Sequence, residues 1–162
     1  RVISKLEEFG PGTSFHRVLW DDAQFRAGSE KIKLKSDDQI KRVVLCSGKV
    51  YYDLYETREA AGIDDVYLLR VEQLYPVPAK SLIAELGRFK NADVVWCQEE
   101  PRNMGAWTFI EPNLEWVLDH VKGKAKRASY SGRNASASTA TGQASRHAAE
   151  QKALVADALG IK

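Results

Sequence analysis

The sequence predicts an α/β domain built on a parallel sheet with helices over both faces. Three observations carry this. Short, β-branched apolar runs recur at Arg42–Cys46, Asp65–Val71 and Asp93–Gln98. Each is too continuous in its hydrophobicity to be a half-exposed strand, as expected of strands buried on both sides. Stretches with helical spacing separate them, so strand and helix alternate and right-handed crossovers follow.

Residues 1–41 read as an irregular, partly ordered linker, with Pro11-Gly12-Thr13-Ser14 as a turn cluster and a lysine-rich stretch from Lys31 to Lys41. Phe15, Val18, Leu19 and Trp20 are expected to pack on a neighbour. The regular domain spans 42–162. Arg42–Cys46 is the first strand and Ser47-Gly48-Lys49 a turn. Val50–Ala61 is a helix closed by Gly62. Asp65–Val71 is the second strand, broken by Pro76-Val77-Pro78. Ala79–Phe89 forms a helix with Leu82, Ile83 and Leu86 on one face. Asp93–Gln98 is the third strand. Phe109–Val121 is a helix in which Pro112 is tolerable near the first turn. Lys126–Tyr130 makes a short fourth strand, 131–142 is low in bulk, and a last helix runs over 143–159.

The chain has 162 residues, 44% hydrophobic and 28% charged, enough for one domain with a real core. A net charge of +2 gives no electrostatic footprint for nucleic acid or an anionic membrane surface. No apolar run approaches the roughly 20 residues of a membrane-spanning helix. No signal peptide is visible, and a start at Arg1 is expected of a fragment of a longer protein. Cys46 and Cys97 sit inside apolar strands and read as reduced core thiols, which fits a reducing compartment.

The densest stretch is Trp96-Cys97-Gln98-Glu99-Glu100-Pro101-Arg102-Asn103-Met104-Gly105-Ala106-Trp107. It places two carboxylates, a fixed turn and an aromatic anchor past the carboxyl end of a strand, where open α/β sheets gather ligands and partners. Glu99, Glu100 and Trp107 are candidate interface residues; Trp107 alternatively packs inside its own domain. Glu99 and Glu100 are not expected to work as an acid/base pair, because neighbours on an extended chain point to opposite sides. Ser47-Gly48-Lys49 offers free amides and a lysine to an anion, or serves only as a tight turn. It is not a P-loop, since Val50 stands where Ser or Thr is required. Arg133 either clamps a carboxylate or phosphate or fixes its own loop through an ion pair. Gln73 and Lys80 flank Tyr75-Pro76-Val77-Pro78 at a strand end leading into a helix, and with Lys49 and Arg133 they form a candidate effector or anion site. His16, His120 and His147 have no metal-ligand spacing, and no catalytic residue is assigned.

Four ordered motifs closely resemble the C-terminal domain of the 2-oxoglutarate dehydrogenase decarboxylating component. They are Val44–Leu54, Arg70–Pro76, Trp96–Trp107, and Tyr130-Ser131-Gly132-Arg133 with Ala137-Ser138 and Ala140-Thr141-Gly142. Phe15-His16-Arg17-Val18-Leu19 resembles the segment that joins this domain to the preceding one. The resemblance implies the fold of the third domain of transketolase: three layers, a mostly parallel sheet and one antiparallel edge strand. It implies a homodimeric enzyme of the tricarboxylic acid cycle, dependent on thiamine diphosphate and magnesium. That enzyme decarboxylates 2-oxoglutarate and passes the succinyl group to the lipoyl arm of a dihydrolipoyl succinyltransferase in a multienzyme complex. It is cytoplasmic in bacteria and lies in the mitochondrial matrix in eukaryotes. No Gly-Asp-Gly start with a downstream Asn-Asn is present, so the cofactors are expected in other domains and this fragment alone is expected to be inactive. Dimerisation, support of the active-site channel, acyltransferase contact and binding of an effector such as acetyl-CoA or AMP remain as its roles. The rivals are the same domain of another transketolase-like enzyme and an independent nucleotide-binding module.

Overall fold

The computed structural model describes residues 6–25 and 32–161. Lys31, where the lysine-rich stretch begins, lies outside the described residues. Five strands form one sheet: β1 (Val18–Leu19), β2 (Arg42–Cys46), β3 (Val66–Val71), β4 (Asp93–Pro101) and β5 (Ala128–Arg133). Their order across the sheet is β1-β3-β2-β4-β5. The last four run parallel, and β1 pairs antiparallel with β3 through Val18 opposite Val71 and Leu19 opposite Arg70. The fold is therefore the three-layer, mostly parallel α/β arrangement expected, with an antiparallel strand at one edge.

The alternation of side chains along each strand sorts the core into two halves. Val43, Leu45, Tyr67, Leu69, Val94 and Trp96 point to one face, under α3 (Ala79–Leu86) and α4 (Trp107–Asp119). Val44, Cys46, Leu68, Val95 and Cys97 point to the other, under α2 (Val50–Ala61) and α5 (Ala144–Leu159). Both faces of β2 are closed, which is why its run is apolar without interruption. Gly62 ends α2 in the left-handed conformation, φ +64°, and its amide donates back into the last turn.

Several boundaries differ from the sequence reading; the helix expected over Ala79–Phe89 ends at Leu86, and three others bear on the site. The fourth helix begins at Trp107, so Pro112 lies beyond its first turn and removes the bond to the Thr108 carbonyl. Both residues are exposed, where that loss is least costly. β4, expected to end at Gln98, runs on to Pro101, past the two glutamates. The fifth strand is shifted to Ala128–Arg133.

The stretch expected to be irregular also carries order that composition hides. Besides β1 it holds α1 (Asp22–Phe25) and a fully buried carboxylate, Asp21. Asp21 faces Leu68 where β1 stops, and its Oδ2 accepts the Leu68 N–H at 2.8 Å in place of a strand. Its other oxygen accepts from Arg58 Nη2 at 2.8 Å and from the Ala23 amide at 3.0 Å, and Arg58 Nη1 reaches Oδ2 as well. Arg58 is equally buried and donates to the Val66 carbonyl at 3.1 Å. This pair ties the incoming segment to α2 and β3.

Candidate functional site

Parallel strands bring their carboxyl ends to one edge of the sheet, and the singled-out residues lie along it. In register, Cys46 of β2 is level with Arg70 of β3 and Cys97 of β4. The turn Ser47-Gly48-Lys49 is thus level with Gln98 and Glu99. Lys49 Nζ reaches the Glu99 carboxylate, and Arg133 Nη1 donates to the Glu99 backbone carbonyl. Arg133 Nε donates to Glu150 at 3.2 Å and Nη2 to Gln151 at 2.9 Å, with His147 Nδ1 at 3.3 Å. Gln151 Nε2 in turn donates to Asp53 Oδ2 at 2.9 Å, one turn along α2 from Lys49. Lys49, Glu99, Arg133, Gln151 and Asp53 form a series of contacts joining α2, β4, β5 and α5. The Thr141 hydroxyl at 2.8 Å and Arg146 beside it hold the Glu150 carboxyl below its ordinary range.

A second network organises the loop after β4, and Gln98 is its centre. Its side chain is buried on the same face as Trp96. Its Oε1 accepts from Trp96 Nε1 at 3.0 Å and from the Trp107 amide at 2.9 Å. Its Nε2 donates to the Met104 carbonyl at 2.7 Å, with those of Glu100 and Pro101 at 3.3 Å. One amide therefore fixes both the loop and the start of α4. Asn103 pins that loop to the next one by a reciprocal pair: Nδ2 donates to the Ser136 carbonyl and Oδ1 accepts the Ser136 amide, both at 2.9 Å. The Tyr130 hydroxyl lies 2.8 Å from the Arg133 carbonyl, over Gly132. A Cβ on Gly132 would stand 2.4 Å from that hydroxyl and 2.8 Å from the Gln98 carbonyl, so only glycine fits this close approach. Beyond it, the low-bulk loop and α5 border a cleft of about 540 Å³ lined by Arg133, Ser136, Thr141, Arg146 and His147.

Each of the four motifs therefore supplies a part of the same carboxyl edge. A family model described as 2-oxoglutarate dehydrogenase C-terminal matches residues 3–159. The chain belongs to the 2-oxoglutarate dehydrogenase C-terminal family. The 2-oxoglutarate dehydrogenase E1 components of Brucella anthropi and Brucella ovis are each 64% identical to it over 160 residues. That of Brucella abortus is 63% identical. The match takes in 99% of this chain and 16% of each of these relatives, so the chain spans about one sixth of their length.

In this member of the 2-oxoglutarate dehydrogenase C-terminal family, the residues expected at an effector site separate into two groups. Lys49 and Arg133 both converge on Glu99, and each already has an anionic or carbonyl partner. Gln73 Nε2 donates to the Pro76 carbonyl at 2.6 Å. Lys80 is exposed at the start of α3, with no ion-pair partner among the described residues. No hydrogen bond or ion pair joins Gln73 or Lys80 to Lys49 or Arg133 among the described residues. Of the expected interface residues, Glu99 is held by Lys49 and Glu100 is exposed. Trp107 is 3% exposed and packs in the core, with its ring centroid 5.3 Å from that of Tyr130. Its surface is used inside the domain.

Magnesium takes carboxylate and phosphate oxygens in an octahedral set. Among the described residues no group of three or more His, Cys, Asp or Glu is placed to hold a metal. Cys46 and Cys97 are free, buried thiols. Burial pushes Cys97 up to about 12 and Cys46 well above its ordinary value, which leaves both poor nucleophiles at neutral pH.

Asp21, Arg58 and Gln98 were not singled out from sequence. Only Gln98 carried a signal: it continues the inward parity of Val94 and Trp96 as a lone amide on a buried face.

Proposed function

We propose that this chain is the C-terminal, non-catalytic domain of a longer polypeptide that decarboxylates 2-oxoglutarate. That polypeptide uses thiamine diphosphate and magnesium held by its other domains and succinylates a lipoyl group on a partner succinyltransferase. The observation that carries this reading is the match itself: 64% identity over 99% of the chain, to proteins named 2-oxoglutarate dehydrogenase E1 component of which it spans only 16%. The site supports the same division of labour. Lys49 with Glu99 and Arg133 with Glu150 are tied to each other, as suits a domain that positions loops and offers surfaces to a homodimer, an active-site channel or an acyltransferase. Free, buried thiols suit the bacterial cytoplasm.

The full-length polypeptide, supplied with thiamine diphosphate, magnesium and an artificial electron acceptor, should release carbon dioxide from 2-oxoglutarate. The 162-residue chain should not. Turnover by the chain alone would overturn the scaffold reading.

The effector role is a narrower proposal for the same edge. Lys80 and the start of α3 suit a phosphate-bearing ligand such as acetyl-CoA or AMP. Lys49 and Arg133 would join only by releasing Glu99. Calorimetric titration of the full-length polypeptide and its Lys80→Glu variant tests it: equal binding by both removes Lys80 as a contact.

A further inference from the structure

We infer that the cleft between the 134–142 loop and α5 is a binding site for a small anionic polyol, a sugar phosphate or a sugar acid. The site does not use Lys80, and it stands whatever reaction the rest of the polypeptide carries out. Its volume of about 540 Å³ lies in the range of small-ligand sites, roughly 300–1,000 Å³. The low bulk of this stretch makes the room: Gly132, Ala135, Ala140 and Ala153 line the cleft and leave space that larger side chains would fill.

At one end the wall offers donors. Arg146 donates from Nε to Glu150 at 2.8 Å, and its Nη1 and Nη2 have no partner among the described residues. Two free N–H groups on one planar guanidinium match the oxygens of a phosphate or carboxylate. His147 lies beside it in sequence and on the same wall. Its Nδ1 is 3.3 Å from Arg133 Nη2, a group that can only donate, so the ring proton sits on Nε2 as a further donor. The Glu150 carboxylate on this wall is offset by Arg133, Arg146 and the Thr141 hydroxyl, all of which engage it.

The rest of the cleft offers acceptors. The Ser138 hydroxyl gives its hydrogen to the Ala140 carbonyl at 2.7 Å, and the Thr141 hydroxyl gives its own to Glu150 at 2.8 Å, which leaves lone pairs on both oxygens. Asp157 lies about three turns beyond Arg146 on α5, roughly 16 Å along the helix. Its carboxylate has no hydrogen-bond or ion-pair partner among the described residues. The Thr139 hydroxyl, also unpartnered among them, can both donate and accept. A ligand with an anionic group at Arg146 and hydroxyls along its body satisfies both ends. A bare inorganic anion uses only the first, and a polyanion meets Asp157.

Isothermal calorimetry of the full-length polypeptide with glucose 6-phosphate and with gluconate tests the site, with inorganic phosphate and glucose as controls. At least one of the two sugar anions should give saturable heat and bind more tightly than inorganic phosphate, and glucose should give none. The tighter of the two shows whether the anionic group is a phosphate or a carboxylate. Arg146→Ala should weaken that binding about tenfold, as loss of a hydrogen-bonded charge does. Thr139→Val should weaken the sugar anion and leave inorganic phosphate unchanged. Arg146 and Thr139 are both exposed, so both variants should keep the wild-type urea midpoint. Equal affinity of wild type and Arg146→Ala would overturn the proposal. So would inorganic phosphate binding as tightly as the sugar anions, or no saturable heat with either of them.

Discussion

Asp21→Ala removes the carboxylate that joins the incoming segment to the core. Four donors lose their acceptor: both terminal nitrogens of Arg58, the Leu68 amide and the Ala23 amide. Arg58 is fully buried, and its Nε already has no partner, so the guanidinium would be left charged with the Val66 carbonyl, a 3.4 Å contact to Glu59 and the Tyr55 ring centroid 5.3 Å away. Breaking a buried pair from one side costs about 3–5 kcal/mol, a large share of the roughly 5–15 kcal/mol that holds a domain together. Urea unfolding followed by tryptophan fluorescence measures it. Asp21→Asn keeps an acceptor for Leu68 and Arg58 and should fall between wild type and Asp21→Ala. Asp21→Leu with Arg58→Met removes both charges and should recover much of the loss, because neither member of the pair is left buried without the other. A loss below about 1 kcal/mol for Asp21→Ala would refute the reasoning.

Gln98→Ala should destabilise the chain by about 3 kcal/mol, since it strands the Trp96 indole N–H, the Trp107 amide and the Met104 carbonyl at about 1–3 kcal/mol for each buried group left unpaired. Hydrogen exchange should show faster opening of the 99–107 loop in that variant, and an unchanged urea midpoint would count against its central place. The Lys41 ammonium, 2.8 Å from Asp65, lowers the Asp65 carboxyl by hydrogen bonding and is itself raised by the same bond. A depressed carboxylate stabilises above its unfolded value of about 4 and loses that contribution as pH falls through its folded value, whereas the raised lysine stays charged throughout. Asp65→Asn should therefore lower the urea midpoint at pH 7 and converge on wild type as pH drops below that of the folded carboxyl. A deficit that persists in acid would show a packing effect instead.

Most of the sheet was legible because hydrophobic runs and their spacing survive without context. Val43–Cys46 and Val94–Cys97 are closed on both faces, and their unbroken apolar character says so. β1 was not legible. It has two residues, and its pairing depends on Arg17 and Val18 meeting a strand some fifty positions away. Asp21 was hidden for a similar reason: an aspartate in a polar stretch looks solvated until Arg58 and the uncovered Leu68 amide are seen beside it. At the site, sequence located the carboxyl edge but not the direction of its bonds. Arg133 and Lys49 look like anion clamps in isolation, and Glu99, one strand away from each, engages both. Trp107 looked like an anchor for a partner because it ends a charged loop, yet as the first residue of α4 it turns inward beneath Gln98.

The claim that this domain supports chemistry carried out elsewhere in a longer chain is tested most directly by cofactor binding, apart from any turnover. Isothermal calorimetry of thiamine diphosphate with magnesium should give saturable heat with the full-length polypeptide and none with residues 1–162 alone. Saturable binding to the isolated chain would contradict the account.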